Sequence, residues 1–160
     1  METDNNLKLI TMDSSQFDNF REISCAMYAR VSPYYRDMSF EVAVELIQND
    51  FNARFAPEGL TTSDQFFLAI MKDKEQIGYF HFSEFPKGTK SLFGWNFHIF
   101  EKYQKKGLGQ ASAELAKIFF KEKGYTKVAI NVVADNKTAI KIYEALGFQV
   151  TQLNMENLIS

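Results

Sequence analysis

A glycine-containing loop in the second half of the chain has the residue types that bind an anion. It reads Glu101-Lys102-Tyr103-Gln104-Lys105-Lys106-Gly107-Leu108-Gly109-Gln110 and joins a predicted strand to a predicted helix. Two glycines separated by one residue allow a tight turn whose N–H groups point outward. The helix dipole and the charges of Lys105 and Lys106 add to these donors. The loop therefore predicts a phosphate or diphosphate site, and a glycine-rich turn without a ligand is the alternative.

Two nucleotide-binding motifs compete with this interpretation. A P-loop is excluded because Gly-x-x-x-x-Gly-Lys-Ser/Thr does not occur in the sequence. Residues 107–112 contain two of the three glycines of the dinucleotide motif, and Asp135 ends the next predicted strand as a ribose-binding acid would. That motif normally opens a parallel sheet, whereas an antiparallel meander precedes it here. A dinucleotide-binding domain therefore stays as the less favoured alternative.

The distribution of charge also favours a small anionic ligand. The net charge is −2, but residues 101–127 contain seven lysines against three glutamates, while residues 1–100 contain nine basic and 14 acidic residues. A nucleic-acid-binding protein usually has a basic surface overall. We therefore expect no nucleic-acid partner and a local anion site instead.

Length and composition predict one globular domain over residues 1–160. Hydrophobic residues make up 46% and charged residues 24% of the 160 positions. Cys25 is the only cysteine, which excludes an intramolecular disulfide and favours a reducing, cytoplasmic location. No stretch approaches the roughly 18 uncharged apolar residues of a membrane span, so no membrane partner is expected. Two histidines and one cysteine offer no cluster of metal ligands, so we expect no metal.

The elements that position the loop follow from hydrophobic periodicity. The predicted order is a strand at 7–12, helices at 17–31 and 40–51, a loop at 56–64, strands at 65–72, 77–85 and 91–100, a helix from 108 to about 124, a strand at 128–133, a helix around 139–146 and a last strand from 148. The short connections 73–76 and 86–90 can join only antiparallel neighbours. Strand–helix–strand from 91 to 133 is a parallel crossover. The fold class is therefore α/β (α+β), with a mixed, mainly antiparallel sheet of about six or seven strands flanked by helices.

Two motifs in this order resemble the GNAT superfamily of acetyl-CoA-dependent N-acetyltransferases. Residues 104–109 match the family's Gln/Arg-x-x-Gly-x-Gly/Ala signature. Residues 131–139 and 143–148 contain its Asn-x-x-Ala and Tyr-x-x-x-Gly-Phe pair. The resemblance covers residues 90–150 and implies a fold of the acyl-CoA N-acyltransferase type, in which one parallel pair of strands is splayed apart.

The resemblance also implies where acetyl-CoA would bind as co-substrate. Backbone amides of the loop 104–109 would hold the diphosphate, and the main chain of 97–99 would pair with the pantetheine arm and polarise the thioester carbonyl. Asn136 would bond to pantetheine or phosphate, although it also stands where a helix N-cap is expected. The implied cofactor contacts are Phe97, His98, Ile99, Gln104, Lys105, Lys106, Gly107, Leu108, Gly109, Gln110, Asn131, Asn136 and Tyr143.

Three residues are candidates for proton transfer. In relatives the tyrosine at the position of Tyr143 protonates the departing thiolate, and a core aromatic is the alternative. Many relatives have a glutamate base at one of the positions occupied here by His98 and Asn131. His98 is the first candidate for the base, because imidazole has a suitable pKa and would share a strand face with Asn96. Glu84 is the second; a packed histidine and a solvated glutamate are the alternatives.

The sequence therefore predicts an acyltransferase that moves an acetyl group to a primary amine by direct attack. The acceptor would be a small molecule or a peptide, and acidic side chains on the acceptor side favour a cationic amine such as a polyamine, an aminoglycoside or a lysine side chain. These side chains are Asp37, Glu41, Glu45, Asp50, Glu58 and Asp64. The missing carboxylate base leaves a non-catalytic acyl-CoA-binding module open. Relatives are frequently dimers, which allows a homodimer here.

Overall fold

A computed structural model describes residues 6–55 and 64–159 of the chain. The strands are β1 (Leu7–Thr11), β2 (Gln65–Lys72), β3 (Glu75–Glu84), β4 (Ser91–Ile99) and β5 (Lys127–Ile130). The helices are α1 (Ser14–Val31), α2 (Phe40–Arg54), α3 (Leu108–Glu122) and α4 (Lys137–Ala145), with 3-10 turns at Pro33–Tyr35 and Glu101–Tyr103. The loop predicted for 56–64 lies outside the described residues except for Asp64.

The strands form one mixed sheet in the order β1-β2-β3-β4-β5. The first three pairs are antiparallel, and β4 and β5 are parallel, so the predicted meander and crossover are confirmed. Within residues 6–55 and 64–159 the sheet has five strands, fewer than the six or seven predicted. The last strand, predicted from Phe148, is wrong: residues 148–159 form no strand, and Val150 and Leu153 are exposed. Alternating apolar residues define a face, but a strand also needs a partner that pairs with its backbone.

Helices cover the two faces of the sheet. Helices α1 and α2 pack over Phe67, Ala69 and Tyr79, while α3 packs over the other face through residues that include Ala116 and Phe120. The predicted N-caps are confirmed, since Asp13 accepts a hydrogen bond from the Gln16 N–H at 2.8 Å and Ser39 caps α2. None of the helices in these two ranges combines the length and apolar character needed to cross a bilayer.

Strand β4 is paired on both sides for only half of its length. Its parallel pairing with β5 runs from Ser91 opposite Lys127 to Gly94 opposite Ile130 and then stops. The pairing with β3 continues to Ile99, so the second half of β4 has one paired and one open edge. Strand β5 therefore ends earlier than the strand predicted at 128–133, because residues 131–133 follow the point where β4 and β5 part. The splayed pair is therefore present.

His81 is a buried histidine inside the layer between the sheet and α1–α2. Its side chain is 1% exposed, its Nε2 lies 2.9 Å from the Gln65 Oε1, and its ring stacks on Phe67 at 4.2 Å. The rings of Phe20 and Phe55 approach it edge-on. Burial lowers the pKa of His81 from 6.5 to about 3, so the folded protein keeps this imidazole neutral.

We expect this burial to make stability depend on pH. The unfolded chain protonates His81 near its usual pKa of 6.5 and the folded chain only near 3, so the stabilisation is complete above pH 6.5 and is lost as pH falls toward 3. The free energy of unfolding should fall by at most about 1.4 kcal/mol per pH unit from this residue. Urea denaturation at several pH values should show a shallower dependence for His81→Phe than for the wild type. Equal slopes for the two proteins would contradict this assignment.

Candidate active site

The open edge of β4 presents main-chain groups of alternate residues. The Phe100 N–H donates to the Ile77 carbonyl at 2.8 Å, which fixes the alternation of the antiparallel ladder between β3 and β4. In this register, with Tyr79 opposite His98, the main-chain groups of Asn96 and His98 point toward β3. Those of Phe97 and Ile99 point away from β3, toward the side where β5 has ended. Among the described residues, no further strand pairs with this part of the edge.

Gln104 joins this edge to the glycine-containing loop. Its Nε2 donates to the Ile99 carbonyl at 2.8 Å. The N–H and carbonyl of Phe97 and the N–H of Ile99 therefore remain to face the gap that opens between β4 and the end of β5. The side chain of Gln104 therefore has a structural partner, and so does its main-chain N–H, which was predicted to contact a diphosphate and donates to the Glu101 carbonyl at 3.1 Å. The side-chain bond anchors the start of the loop to the end of β4.

The loop leads directly into α3 with unpaired donors at the helix start. Gly107 is the N-cap in a left-handed conformation with φ of 75°, and it has no side chain with which to cap. The Ala111 N–H bonds to the Gly107 carbonyl, so the N–H groups of Leu108, Gly109 and Gln110 precede the first helical bond. Three donors and the positive end of the helix dipole thus face outward at one point, which suits an anion.

Lys102, Tyr103 and Lys106 of the loop are held by a small network that includes Glu75. The Tyr103 hydroxyl donates to the Glu75 carboxylate, and the Lys102 Nζ lies 3.7 Å from the same carboxylate. The Tyr103 hydrogen bond, followed by the Lys102 charge, lowers the pKa of Glu75 below its usual value. The Lys106 Nζ folds back to donate to the Lys102 carbonyl at 2.8 Å. Lys105 is exposed and has a left-handed φ of 59°.

His98 lies on the sheet face that carries α1 and α2. It shares this face with Asn96, as predicted, because both side chains alternate with Phe97 along β4. Its ring is half-buried, 5.5 Å from the Tyr79 ring and 5.9 Å from the Phe100 ring. Burial lowers the pKa of His98 below 6.5, so the imidazole is neutral at pH 7 and able to accept a proton.

Glu84 lies on the opposite face and has structural partners. Its two carboxylate oxygens accept from the Lys90 N–H and from the Tyr125 hydroxyl, each at 3.2 Å. Tyr125 belongs to the core beneath α3, and Glu84 pairs with Leu92 in the fully paired half of β4. The structure therefore does not bring Glu84 together with His98, and its carboxylate stabilises the connection between β3 and β4.

Helix α4, which follows β5, passes the start of α3, since a Cβ placed on Gly109 would lie 4.0 Å from the Ile142 Cδ1. Asn136 is the N-cap of α4, and its Oδ1 accepts from the Ala139 N–H at 3.1 Å, which confirms the predicted capping role. Asn131 is exposed immediately after β5. Tyr143 is half-buried with its ring 5.3 Å from that of Phe148, and burial raises its pKa above 10. The phenol of Tyr143 is therefore protonated at neutral pH.

Similarity to known proteins decides the family. Residues 23–148 match the acetyltransferase (GNAT) family. The chain belongs to this family. It is 25% identical over 150 residues, 90% of this chain and 92% of the other, to the uncharacterized N-acetyltransferase YdgE of Bacillus subtilis.

Solved structures of similar fold support the architecture of this family member. The putative acetyltransferase YycN of Bacillus subtilis has a TM-score of 0.86 at 24% identity and covers 96% of this chain and 99% of its own. The PaiA N-acetyltransferase of Thermoplasma acidophilum, solved in complex with coenzyme A, has a TM-score of 0.69 at 16% identity and 92% coverage of both chains. These likenesses show the fold.

Some residues of this region were not predicted from the sequence. Glu75 is 28 residues from Tyr103, so no local pattern links the two side chains. Trp95 is the extra residue of a β-bulge between the positions opposite His81 and Phe82. Gly94, a glycine inside the predicted strand 91–100 and next to Trp95, is the signal that could have indicated this bulge. No group of side chains suited to a metal ion is found in the residues that the structure describes.

Proposed function

We propose that the protein transfers an acetyl group from acetyl-CoA to a primary amine by direct attack in a ternary complex. The observation that carries this proposal is the parting of β4 and β5 after Gly94 and Ile130, next to the start of α3, which has no side-chain cap. An open strand edge that leads into a helix N-terminus suits a ligand with an amide-containing arm and a diphosphate. Coenzyme A has both, and the PaiA N-acetyltransferase of similar fold was solved with it.

The main chain would hold the acyl donor. Phe97 and Ile99 would bond to the amides of the pantetheine arm as a neighbouring strand does, while the N–H groups of Leu108, Gly109 and Gln110 would bond to the diphosphate. An N–H on the open edge would also stabilise the oxyanion that develops on the thioester carbonyl.

His98 and Tyr143 would handle the two protons of the reaction. The amine nitrogen forms a bond to the thioester carbonyl carbon, and the carbon–sulfur bond breaks. His98, neutral at pH 7, would accept the proton that the amine loses, directly or through a water molecule. Tyr143, protonated because burial raises its pKa, would donate a proton to the departing thiolate.

Two of the acidic residues expected to attract a cationic acceptor are ion-paired. Asp50 lies 3.0 Å from the Arg54 guanidinium, and Asp64 lies 2.9 Å from the Lys87 Nζ. Asp37, Glu41 and Glu45 are exposed, and Glu58 lies outside the described residues. The electrostatic case for a polyamine or aminoglycoside is therefore weaker than the sequence suggested.

The proposed function is tested by binding and by thiol release. Desulfo-CoA at about 100 times its dissociation constant should stabilise the protein by about 2.7 kcal/mol in a thermal-shift assay, and NAD should not. Acetyl-CoA should release free thiol when a panel of primary amines is added. Stabilisation by desulfo-CoA without thiol release from any amine would favour the non-catalytic module, and stabilisation by NAD alone would favour a dinucleotide-binding domain.

We expect His98→Asn to change the pH dependence of the reaction. Protonation of the amine acceptor lowers kcat/KM throughout the neutral range in both proteins. Because the pKa of His98 is lowered, the wild-type profile should show a further acidic limb below pH 6.5, where the imidazole gains a proton. The variant should lose about 100-fold in kcat at neutral pH and lack this acidic limb, while its affinity for desulfo-CoA stays unchanged. The profile is measured where circular dichroism shows both proteins folded. A variant that retains the limb would show that another group is the base.

We expect Tyr143→Phe to lower kcat by about 10- to 100-fold, because a thiolate with a pKa near 8.5 needs only modest help to leave. Phe148→Leu is a suitable control, since it removes the ring that packs on Tyr143 and leaves the hydroxyl in place. Steady-state kinetics at saturating acetyl-CoA measure the effect. A wild-type kcat in Tyr143→Phe would mean that Tyr143 acts by packing alone, since this variant keeps the ring.

A further inference from the structure

Three aromatic side chains form an exposed surface on the sheet face that also carries His98. We call Phe85, Phe93 and Trp95 the aromatic platform. The ring centroids of Phe93 and Trp95 are 4.6 Å apart, and those of Phe85 and Phe93 are 6.5 Å apart. Phe85 is 60% and Trp95 43% exposed, although large aromatic side chains are normally hidden from water.

The indole of Trp95 is fixed in place rather than free to turn. Its Nε1 donates to the Ser83 Oγ at 2.7 Å, and its ring lies nearly parallel to that of His81 at 6.4 Å. The bulge at this point turns Trp95 onto the same face as Asn96, the next residue. A rigid, exposed ring therefore stands where the open half of β4 begins.

The other face of the sheet is closed at this point. A Cβ placed on Gly94 would lie 3.0 Å from the Ile130 Cγ2 and 3.0 Å from the Phe82 ring, so the α3 side has no room for a further group. A nucleophile that reaches the inner end of the gap must then approach from the side that carries His98 and the aromatic platform. An acceptor bound for reaction would lie against these rings.

We propose that the aromatic platform binds the body of the acceptor and that the acceptor is a primary amine carried on an aromatic ring. This inference rests on the proposed acetyl transfer. The described hydrogen-bond and ring partners of the platform are other aromatic rings and the Ser83 hydroxyl, and they include no carboxylate. A ring stacked on the platform gains buried apolar area as well as ring contacts, whereas an ammonium group gains only a cation–π contact and must give up part of its hydration.

Trp95 provides a direct readout because it is the only tryptophan of the chain. Phenethylamine added to the wild-type protein should change the Trp95 emission saturably. The apparent affinity for spermidine from the same titration should be at least about tenfold lower. Phe93→Leu, which removes the ring next to Trp95, should weaken the phenethylamine titration. Ile118→Ala is the matched control, since Ile118 is 54% exposed on α3 and outside the platform.

Turnover gives the second readout. In Trp95→Leu the ratio of kcat/KM for phenethylamine to that for butylamine should fall by about tenfold, whereas Ile118→Ala should keep the wild-type ratio. Tighter binding of spermidine than of phenethylamine, or no emission change with either amine, would overturn the proposal. So would an unchanged ratio in Trp95→Leu. If no amine releases thiol, the acetyl transfer itself fails, and the emission titration still decides whether the platform binds aromatic amines.

Discussion

The main constraint in this protein is that the backbone groups of β4 need partners and the sheet supplies them for only part of the strand. Up to Gly94 the strand is paired on both sides, and after the bulge at Trp95 it is paired with β3 alone from Asn96 to Ile99. Unpaired backbone groups are costly when they are buried without water or a ligand. The open edge therefore favours an extended, amide-containing partner, and the helix start beside it favours an anion at the end of that partner.

Strand alternation separates the roles of neighbouring residues along this edge. Phe97 and Ile99 direct their main-chain groups into the gap, while their side chains pack in the core under α3. Asn96 and His98 direct their main-chain groups to β3 and their side chains to the opposite face. In our account one strand thus contributes backbone to the acyl donor and side chains to the acceptor.

The sequence was sufficient for the parts of this arrangement that depend on local patterns. The caps at Asp13, Ser39 and Asn136 and the parallel crossover after the meander were all predicted from residue type and connection length. The structure departs where partners distant in sequence decide the outcome. Residues 148–159 carry the apolar pattern from which a strand was predicted, but no strand of the described sheet pairs with them. Glu84 is held by Tyr125, which lies 41 residues away in the sequence. Gly94 indicates a bulge in β4, but the choice of Trp95 as its extra residue is a property of the β3–β4 register.

Amide hydrogen exchange, followed by NMR residue by residue along β4, tests the central claim most directly. In the free protein the account predicts fast exchange at Phe97 and Ile99 and slow exchange at Asn96 and His98, which bond to β3. Desulfo-CoA should slow exchange at Phe97 and Ile99 and leave their two neighbours unchanged. Equal protection of all four amides in the free protein, or no change at Phe97 and Ile99 with saturating desulfo-CoA, would contradict the account.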